Sequence, residues 1–258
     1  MRVLTLNCNG IRAASRKGLF EWLKVIDADV IKLQEVRAEL AILEKVCHLE
    51  GYYSLFNPAQ KKGYSGTAIL SKKKPSAQCT KIGIDTIDNE GRWCEATIEK
   101  TKFISLYLPS GSSGDEAQAR KDVVLEKIQT HLQEILEQAN QQNTNIIISG
   151  DWNIAHTEKD IKNWRGNLKN SGFLPHEREW LTVRLQDWVD VYRSLHPETE
   201  GEGYTWWSNR GQAYQNNTGW RIDYQIASPQ IASCAKEAII YKEQRFSDHA
   251  PLIVDYQF

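Results

Sequence analysis

Six apolar runs of this chain stop or start on a residue that could do chemistry. Val3–Leu6 ends in Asn7 and Asn9, and Val30–Leu33 ends in Gln34 and Glu35. Phe103–Leu106 ends in Tyr107, and Asn145–Ser149 ends in Gly150, Asp151, Trp152 and Asn153. Asp223 opens Tyr224–Ala227, and Ser247, Asp248 and His249 precede Pro251–Tyr256. One carboxylate at a strand end is ordinarily a turn residue or a helix cap. Six such termini together ask for another reason, and strand ends on a rigid sheet can hold a reactive constellation.

The residue types suggest which reaction. Carboxylate and amide oxygens are hard ligands suited to Mg²⁺ or Mn²⁺. Zinc is not expected: the five cysteines, at 8, 47, 79, 94 and 234, show neither CxxC nor metal-ligand spacing, and read as free thiols. Hydrolysis of a phosphodiester needs a positioned water, neutralisation of charge on the non-bridging oxygens and help for the leaving group. Asp151 can orient or deprotonate the water. A cationic His249 can donate to phosphoryl oxygens, and a paired Asp would keep it charged and oriented. Asn153 and Asn7 offer neutral amides that hold a phosphate without repelling it.

Positioning these groups requires a layered scaffold. The six runs, with Thr67–Leu70 and Ala238–Tyr241, are four to seven residues long and rich in Val and Ile, so strands fit better than helices. Gly18–Asp27 and Glu116–Gln141 carry apolar residues at steps of three or four, as amphipathic helices do. Further helices are expected over Glu39–Glu50 and after Pro175. Several strands are apolar on both faces, so their sheets must be covered on both sides. The pattern predicts an α/β fold in which two sheets face each other, helices cover the outsides, and residues 1–258 make one domain.

Composition narrows the class. Hydrophobic residues at 41% and charged residues at 25% describe an ordinary globular protein. No apolar run approaches a membrane span, and the N-terminus reads straight into a strand with no signal-peptide pattern, so a cytoplasmic protein is expected. The net charge of −1 argues against holding nucleic acid by bulk charge alone. A local basic rim is still compatible with it, and Arg12, Arg16, Lys17, Lys61, Lys62 and Lys72 to Lys74 are the candidates.

The motifs resemble those of the exonuclease III type of abasic-site (AP) endonuclease, within the endonuclease/exonuclease/phosphatase superfamily. The matching stretches are LNCNGIRA, DVIKLQEVR, GYSGTAILSKKKP, SLYLPSG, GDWNIAHTEKDIKNWRGNLKNSGFLPHER, YTWW, GWRIDYQIAS and SDHAPL. LQE, GDxN and SDH alone indicate the superfamily; the run from Gly150 to Arg178, with GWRIDY, is specific to the DNA-repair branch.

The resemblance implies a four-layered α/β-sandwich, two mixed sheets flanked by helices, and a Mg²⁺ site that Mn²⁺ could also serve. It makes Glu35 the principal metal ligand, with Asn7 nearby and Asp248 as a further metal-associated carboxylate. Tyr107, Asp151 and Asn153 would surround the scissile phosphate. Asp151 is the preferred water activator, and a Tyr107 phenolate is the alternative. Asp223 would pair with His249. Arg12, Lys17, Gly63 and Tyr64 would touch DNA on one flank, and Asn167 and Asn170 on the other. Trp206, Trp220 and Ile222 would form the pocket for a flipped-out abasic sugar. Two departures stand out: Asn9 where relatives have Asp, and a serine-rich loop, Ser110–Ser113, where some place an Asn or Arg.

The implied activity is incision 5′ to an abasic site, leaving a 3′-hydroxyl, in base excision repair, with 3′–5′ exonuclease and 3′-phosphodiesterase activities beside it. The implied partner is double-stranded DNA with abasic sites or blocked 3′ ends, and the protein is expected to act as a monomer. The alternatives are a predominantly 3′–5′ exonuclease or 3′-phosphatase of the same fold, and a small-molecule phosphodiesterase of the superfamily.

Overall fold

A computed structural model describes all 258 residues. In chain order the strands are β1 (Arg2–Asn7), β2 (Val30–Gln34), β3 (Tyr53–Asn57), β4 (Thr67–Ser71), β5 (Ala77–Cys79), β6 (Trp93–Ile98) and β7 (Thr101–Tyr107). They continue with β8 (Asn145–Asp151), β9 (Val189–Asp190), β10 (Trp206–Trp207), β11 (Gly219–Trp220), β12 (Asp223–Ala227), β13 (Ala235–Ile240) and β14 (Leu252–Tyr256). One six-stranded sheet runs β13-β14-β1-β2-β4-β3 and the other β5-β6-β7-β8-β12-β9; β10 and β11 form a small ribbon.

Three apolar layers make this a four-layered sandwich. Val3, Val30, Ile69, Phe103, Ile147, Leu252 and Val254 fill the space between the sheets. Leu4, Leu6, Ile31 and Leu33, on the opposite face of the first sheet, bury Leu19, Trp22 and Leu23 of the helix Leu19–Ile26. Ile104, Leu106, Ile146 and Ile148 do the same for the long helix Asp115–Gln142 through Val124, Ile128, Leu132 and Ile135. Those helical positions recur at three and four, so one stripe is apolar and the rest is free to be charged. Asp115 and Glu116 sit at its positive end, and Asn143 closes it in the left-handed conformation.

The layer between the sheets turns polar toward one end. Lys32 Nζ donates to the Ile147 carbonyl at 3.1 Å and Gln225 Nε2 to the Val3 carbonyl at 2.8 Å. Gln34 Nε2 donates to Ser105 Oγ at 2.8 Å, and Thr5 Oγ1 to Gln34 Oε1 at 3.2 Å. The first three bonds cross-link the two sheets, and the Thr5–Gln34 bond braces β1 against β2 within one of them.

The expected strands and long helices are present. The helix expected over Glu39–Glu50 is shorter, Leu40–Val46, because the chain turns at Cys47. The strands β3, β5 and β6 were not expected from the sequence. β3 and β5 are sheet edges with exposed residues, and β6 carries Glu95, which pairs with Lys102 at 2.9 Å. One expectation is corrected: Lys72 and Lys73 do not belong to a basic rim at the site. β4 is antiparallel to β2, with Ser71 opposite Val30, which puts them at the far end of the sheet. There Lys72 pairs with Asp27 and Lys73 with Glu99.

Candidate active site

Strand direction gathers the site. β1 and β2 are parallel and finish together at Asn7 and Gln34, and β7 and β8 are parallel and finish at Tyr107 and Asp151. β12 is antiparallel to β8, so its first residue, Asp223, lies opposite Asp151. Gly150 allows the two parallel strands to close up: at φ 144°, a Cβ there would lie 1.9 Å from the Leu106 carbonyl oxygen.

Beyond the strand ends the backbone turns sharply. Asn9, Glu35, Arg37 and Asn153 all have left-handed φ, between 43° and 54°. For non-glycine residues this conformation is strained, and such strain collects at functional sites. The turns lead into one cleft of about 780 Å³. Its polar wall includes Asn9, Glu35, Tyr107, Asp151, Asn153, Asp248 and His249, and its apolar corner Trp206, Trp220 and Ile222.

Asp151 is buried and held by three donors. Its Oδ1 accepts from the Asn153 backbone N–H at 2.9 Å, and its Oδ2 from Asn7 Nδ2 at 2.9 Å and Asn153 Nδ2 at 3.3 Å. Burial pushes its pKa up, the His249 charge opposes this, and the net shift is upward, to about 7. His249 Nδ1 lies 2.8 Å from Asp223 Oδ2, and its Nε2 lies 3.9 Å from Asp151 Oδ2. Burial alone would lower the pKa of His249, but Asp223 overcomes it and raises it to about 10. An imidazole so held is a cation at neutral pH. The ligand atoms of Asp151, Asp223 and His249 all lie within 4.8 Å of one another, an ion-pair chain when the imidazole is protonated and a set of three metal-ligating atoms when it is neutral.

Tyr107 is shifted well upward, first by burial and then by the charges of Glu35 and Asp151. At neutral pH it is a phenol that can donate a hydrogen bond. Arg92 stacks 4.4 Å from the centre of its ring and donates to its carbonyl at 3.1 Å and to the Tyr64 hydroxyl at 3.2 Å. One buried arginine thereby fixes both tyrosines.

The residues present fit a hard divalent cation. Glu35, Asp248 and Asn9 bring carboxylate and amide oxygens to one wall of the cleft. Glu35 Oε1 is paired with Arg37, and no side chain or backbone group of the protein donates to Oε2. Asp248 accepts from Asn9 Nδ2 at 2.8 Å and from Trp206 Nε1 at 3.2 Å. An Asp at position 9 would face this carboxylate with like charge; the Asn bonds to it instead. Asn7 lies beneath the cleft floor, fully buried, with Oδ1 accepting from the Asn9 N–H at 2.9 Å and Nδ2 donating to Asp151.

The remaining expected residues are spread over the rim. Trp206 and Trp220 meet edge to face at 6.0 Å and pack with Ile222 against Ile161 and Phe173. Asn170 lines the cleft and donates to Asn167, which lies outside it. Lys17 lines a neighbouring cavity, and Arg12, Gly63 and Tyr64 line neither. The serine-rich loop singled out in the sequence lines the cleft through Ser110–Ser112, and the sequence reading missed Gln118, Ser171 and Arg210 beside it. It also missed a buried pair behind the wall. Lys121 Nζ donates to Glu177 Oε1 at 2.5 Å and to the Asn153 carbonyl at 2.8 Å. Glu177 Oε2 accepts from the Gly172 and Leu174 N–H groups at 2.6 and 3.1 Å. In sequence, Lys121 and Glu177 look like any charges on amphipathic helices.

Comparison with known proteins gives the family and the fold. The model of the endonuclease/exonuclease/phosphatase family matches residues 4–249. The chain belongs to that family. An exodeoxyribonuclease of Bacillus subtilis is 38% identical over 254 residues, covering 98% of each chain. A DNA-(apurinic or apyrimidinic site) endonuclease of Dictyostelium discoideum is 34% identical, over 98% of this chain and 69% of that one. Among solved structures, an AP endonuclease from Archaeoglobus fulgidus superposes with a TM-score of 0.85 at 25% identity over the whole of both chains. The chain is thus an enzyme of the family's exodeoxyribonuclease and AP endonuclease branch.

Proposed function

We propose that this protein is a Mg²⁺-dependent AP endonuclease of base excision repair. In this reading it hydrolyses the phosphodiester 5′ to an abasic site in duplex DNA, leaves a 3′-hydroxyl, and has 3′–5′ exonuclease and 3′-phosphodiesterase activities. The observation that carries this reading is the two-sided cleft. A wall of Asp151, Asn153, Tyr107 and His249 suits a phosphate, and a corner of Trp206, Trp220 and Ile222 suits a sugar without its base. Such a sugar is small and has an apolar face, and extruding it costs less stacking than extruding an intact nucleotide.

Asp151, with its raised pKa and three donors fixing its orientation, takes the proton from the attacking water. The oxygen of that water forms the new P–O bond as the bond to the 3′-oxygen breaks. His249, kept cationic by Asp223, donates from Nε2 to a non-bridging oxygen, and the Tyr107 phenol donates beside it. The upward shift of Tyr107 supports Asp151 over a Tyr107 phenolate as the base. Glu35 and Asp248, with the Asn9 amide, would hold the divalent cation. When bound, Mg²⁺ or Mn²⁺ neutralises phosphoryl charge and stabilises the leaving oxygen.

The test is incision of a duplex with one tetrahydrofuran site, in Mg²⁺ and then in EDTA. Metal-dependent cleavage 5′ to the site is expected; equal rates, or no incision, would refute the proposal. A second reading, a predominantly 3′–5′ exonuclease or 3′-phosphatase, is favoured by the short side chains of Ser110 and Ser112 on the wall of the cleft. In the same assay it predicts faster release from a 3′-phosphate end than incision at an internal site.

A further inference from the structure

The apolar corner of the cleft is built from weak parts. Trp206 and Trp220 stand on strands of two residues each, and a two-stranded ribbon is at best marginally stable on its own. Ile222 follows in the stretch between that ribbon and β12. What holds these side chains in place lies behind them, at Arg221. This arginine is buried and does not line the cleft.

Arg221 ties three segments together. Its backbone N–H donates to the Asp160 carbonyl at 2.7 Å, and its Nε to Asp160 Oδ1 at 2.7 Å. The residue after Asp160, Ile161, pairs with Trp220 and packs in the corner. Arg221 Nη2 lies 2.8 Å from Asp190 Oδ2, at the end of β9, an edge of the second sheet. The guanidinium lies 4.5 Å from the centre of the Tyr224 ring, and the Tyr224 hydroxyl donates to the Ile154 carbonyl at 2.7 Å. Each aspartate is fixed in turn. Asp160 Oδ2 accepts from the Thr157 N–H and hydroxyl, both at 2.9 Å, and Oδ1 from Arg193 Nη2 at 2.5 Å. Asp190 Oδ1 accepts from the Arg193 N–H at 3.1 Å. Two arginines thus balance two carboxylates.

Such a network is poor evidence for stability, because apolar residues of the same volume often hold a domain together as well or better. What the planar, always charged fork of an arginine supplies is direction, since it meets its carboxylates in a fixed geometry. We propose that Arg221 is a specificity-determining residue of this site. It is a positioning residue: through Trp220 before it and Ile222 after it, it fixes the width of the corner at what a deoxyribose without its base can fill. The proposal rests on reading the corner as the place of the abasic sugar. A loosened corner touches that sugar less and excludes a base less well, while Asp151 and Asn153 keep their own bonds.

The test compares the affinity of the full-length protein, in EDTA, for a duplex with one tetrahydrofuran site and for the same duplex with an intact nucleotide there. Single-turnover incision in Mg²⁺, with enzyme in excess, is measured beside it. Arg221→Lys keeps the charge but replaces the fork with a point donor. Its preference for the tetrahydrofuran duplex is expected to fall about tenfold, the scale of one methylene in an apolar pocket. Its single-turnover rate should stay within about threefold of wild type, because the loss is one of recognition. Asp190→Asn keeps its size and leaves the bond to Asp160; it should lose part of the preference, and it decides the matter if Arg221→Lys does not fold. Lys102→Met, which breaks the Lys102–Glu95 pair of the same sheet, should lower Tm and leave the preference unaltered. A preference unaltered in the folded Arg221 and Asp190 variants, well below their unfolding transitions, would overturn the proposal. An equal fall in Lys102→Met would mark general loosening and equally overturn it. Failure here is distinct from failure of the proposed activity. A wild type that prefers and incises the tetrahydrofuran duplex, with the preference kept in the variants, refutes the role of Arg221 alone. A wild type that prefers that duplex but never incises it, and loses the preference in Arg221→Lys, refutes only the activity. A wild type with no preference refutes the reading of the corner, and this proposal with it.

Discussion

Replacing Lys121 with Met should unsettle both stability and catalysis, and the structure sets the size of the effect. Lys121 and Glu177 are 0% exposed. Glu177 accepts four hydrogen bonds, from Lys121, Gln118 and the Gly172 and Leu174 N–H groups. Lys121→Met leaves that carboxylate buried with neutral donors only, which costs about 3–5 kcal/mol. The Asn153 carbonyl is left without its bond as well, at about 1 kcal/mol. The sum, about 4–6 kcal/mol, is close to half of what holds a typical domain folded. Urea unfolding should show it as a midpoint lower by about 2 M. In Lys121→Met with Glu177→Gln, the charge is gone while the glutamine oxygen still accepts from Gly172 and Leu174. That double variant should regain at least about 2 kcal/mol over the sum of the single losses. Incision assayed well below the unfolding transition should be slower in Lys121→Met, because Asn153 is freed to move. Additive losses would refute the pairing, and unchanged incision by folded Lys121→Met would refute its hold on Asn153.

Asp223→Asn removes the group that raises the His249 pKa against its burial. If the cation is the active form, the loss of activity at high pH should then begin at lower pH; a pH–rate profile with an unmoved alkaline limb would count against that role. Asp160 would be raised by burial, but Arg221 and Arg193 hold it below the usual carboxylate range. Its contribution is therefore complete above that range and drains away as pH falls from it toward the depressed pKa of the folded state, and Asp160→Asn should flatten acid unfolding over that interval. Gly150→Ala must relieve the close approach to Leu106, at roughly 3 kcal/mol, read as a lower Tm. Trp220→Ala opens the apolar corner, and the ratio of incision at a tetrahydrofuran site to incision at an intact nucleotide should fall.

What the sequence revealed follows a physical division. Strands buried on both faces, such as Val30–Gln34 and Asn145–Asp151, carry runs of Val, Ile and Leu and read clearly. Edge strands such as Tyr53–Asn57 have exposed positions that dilute the signal. The candidate residues were legible because they interrupt those clear strands at their ends. Their supports were not. Arg92, Lys121 and Gln34 act through partners 15 to 71 residues away, and no local pattern announces such bonds. The rim was misjudged for the same reason: Lys72 and Lys73 are close in sequence to residues near the cleft, and only the antiparallel register sends them away from it.

The cross-links between the sheets have a consequence for how the protein comes to life. Asn7 and Glu35 belong to one sheet, Tyr107, Asp151 and Asp223 to the other, and the Asn7–Asp151 bond spans the seam. Neither half holds a competent fraction of the machinery. A nascent or partly unfolded chain would carry acidic side chains but no nuclease. DNA is thereby spared from immature copies, and the return of cutting during refolding should report the docking of the two sheets.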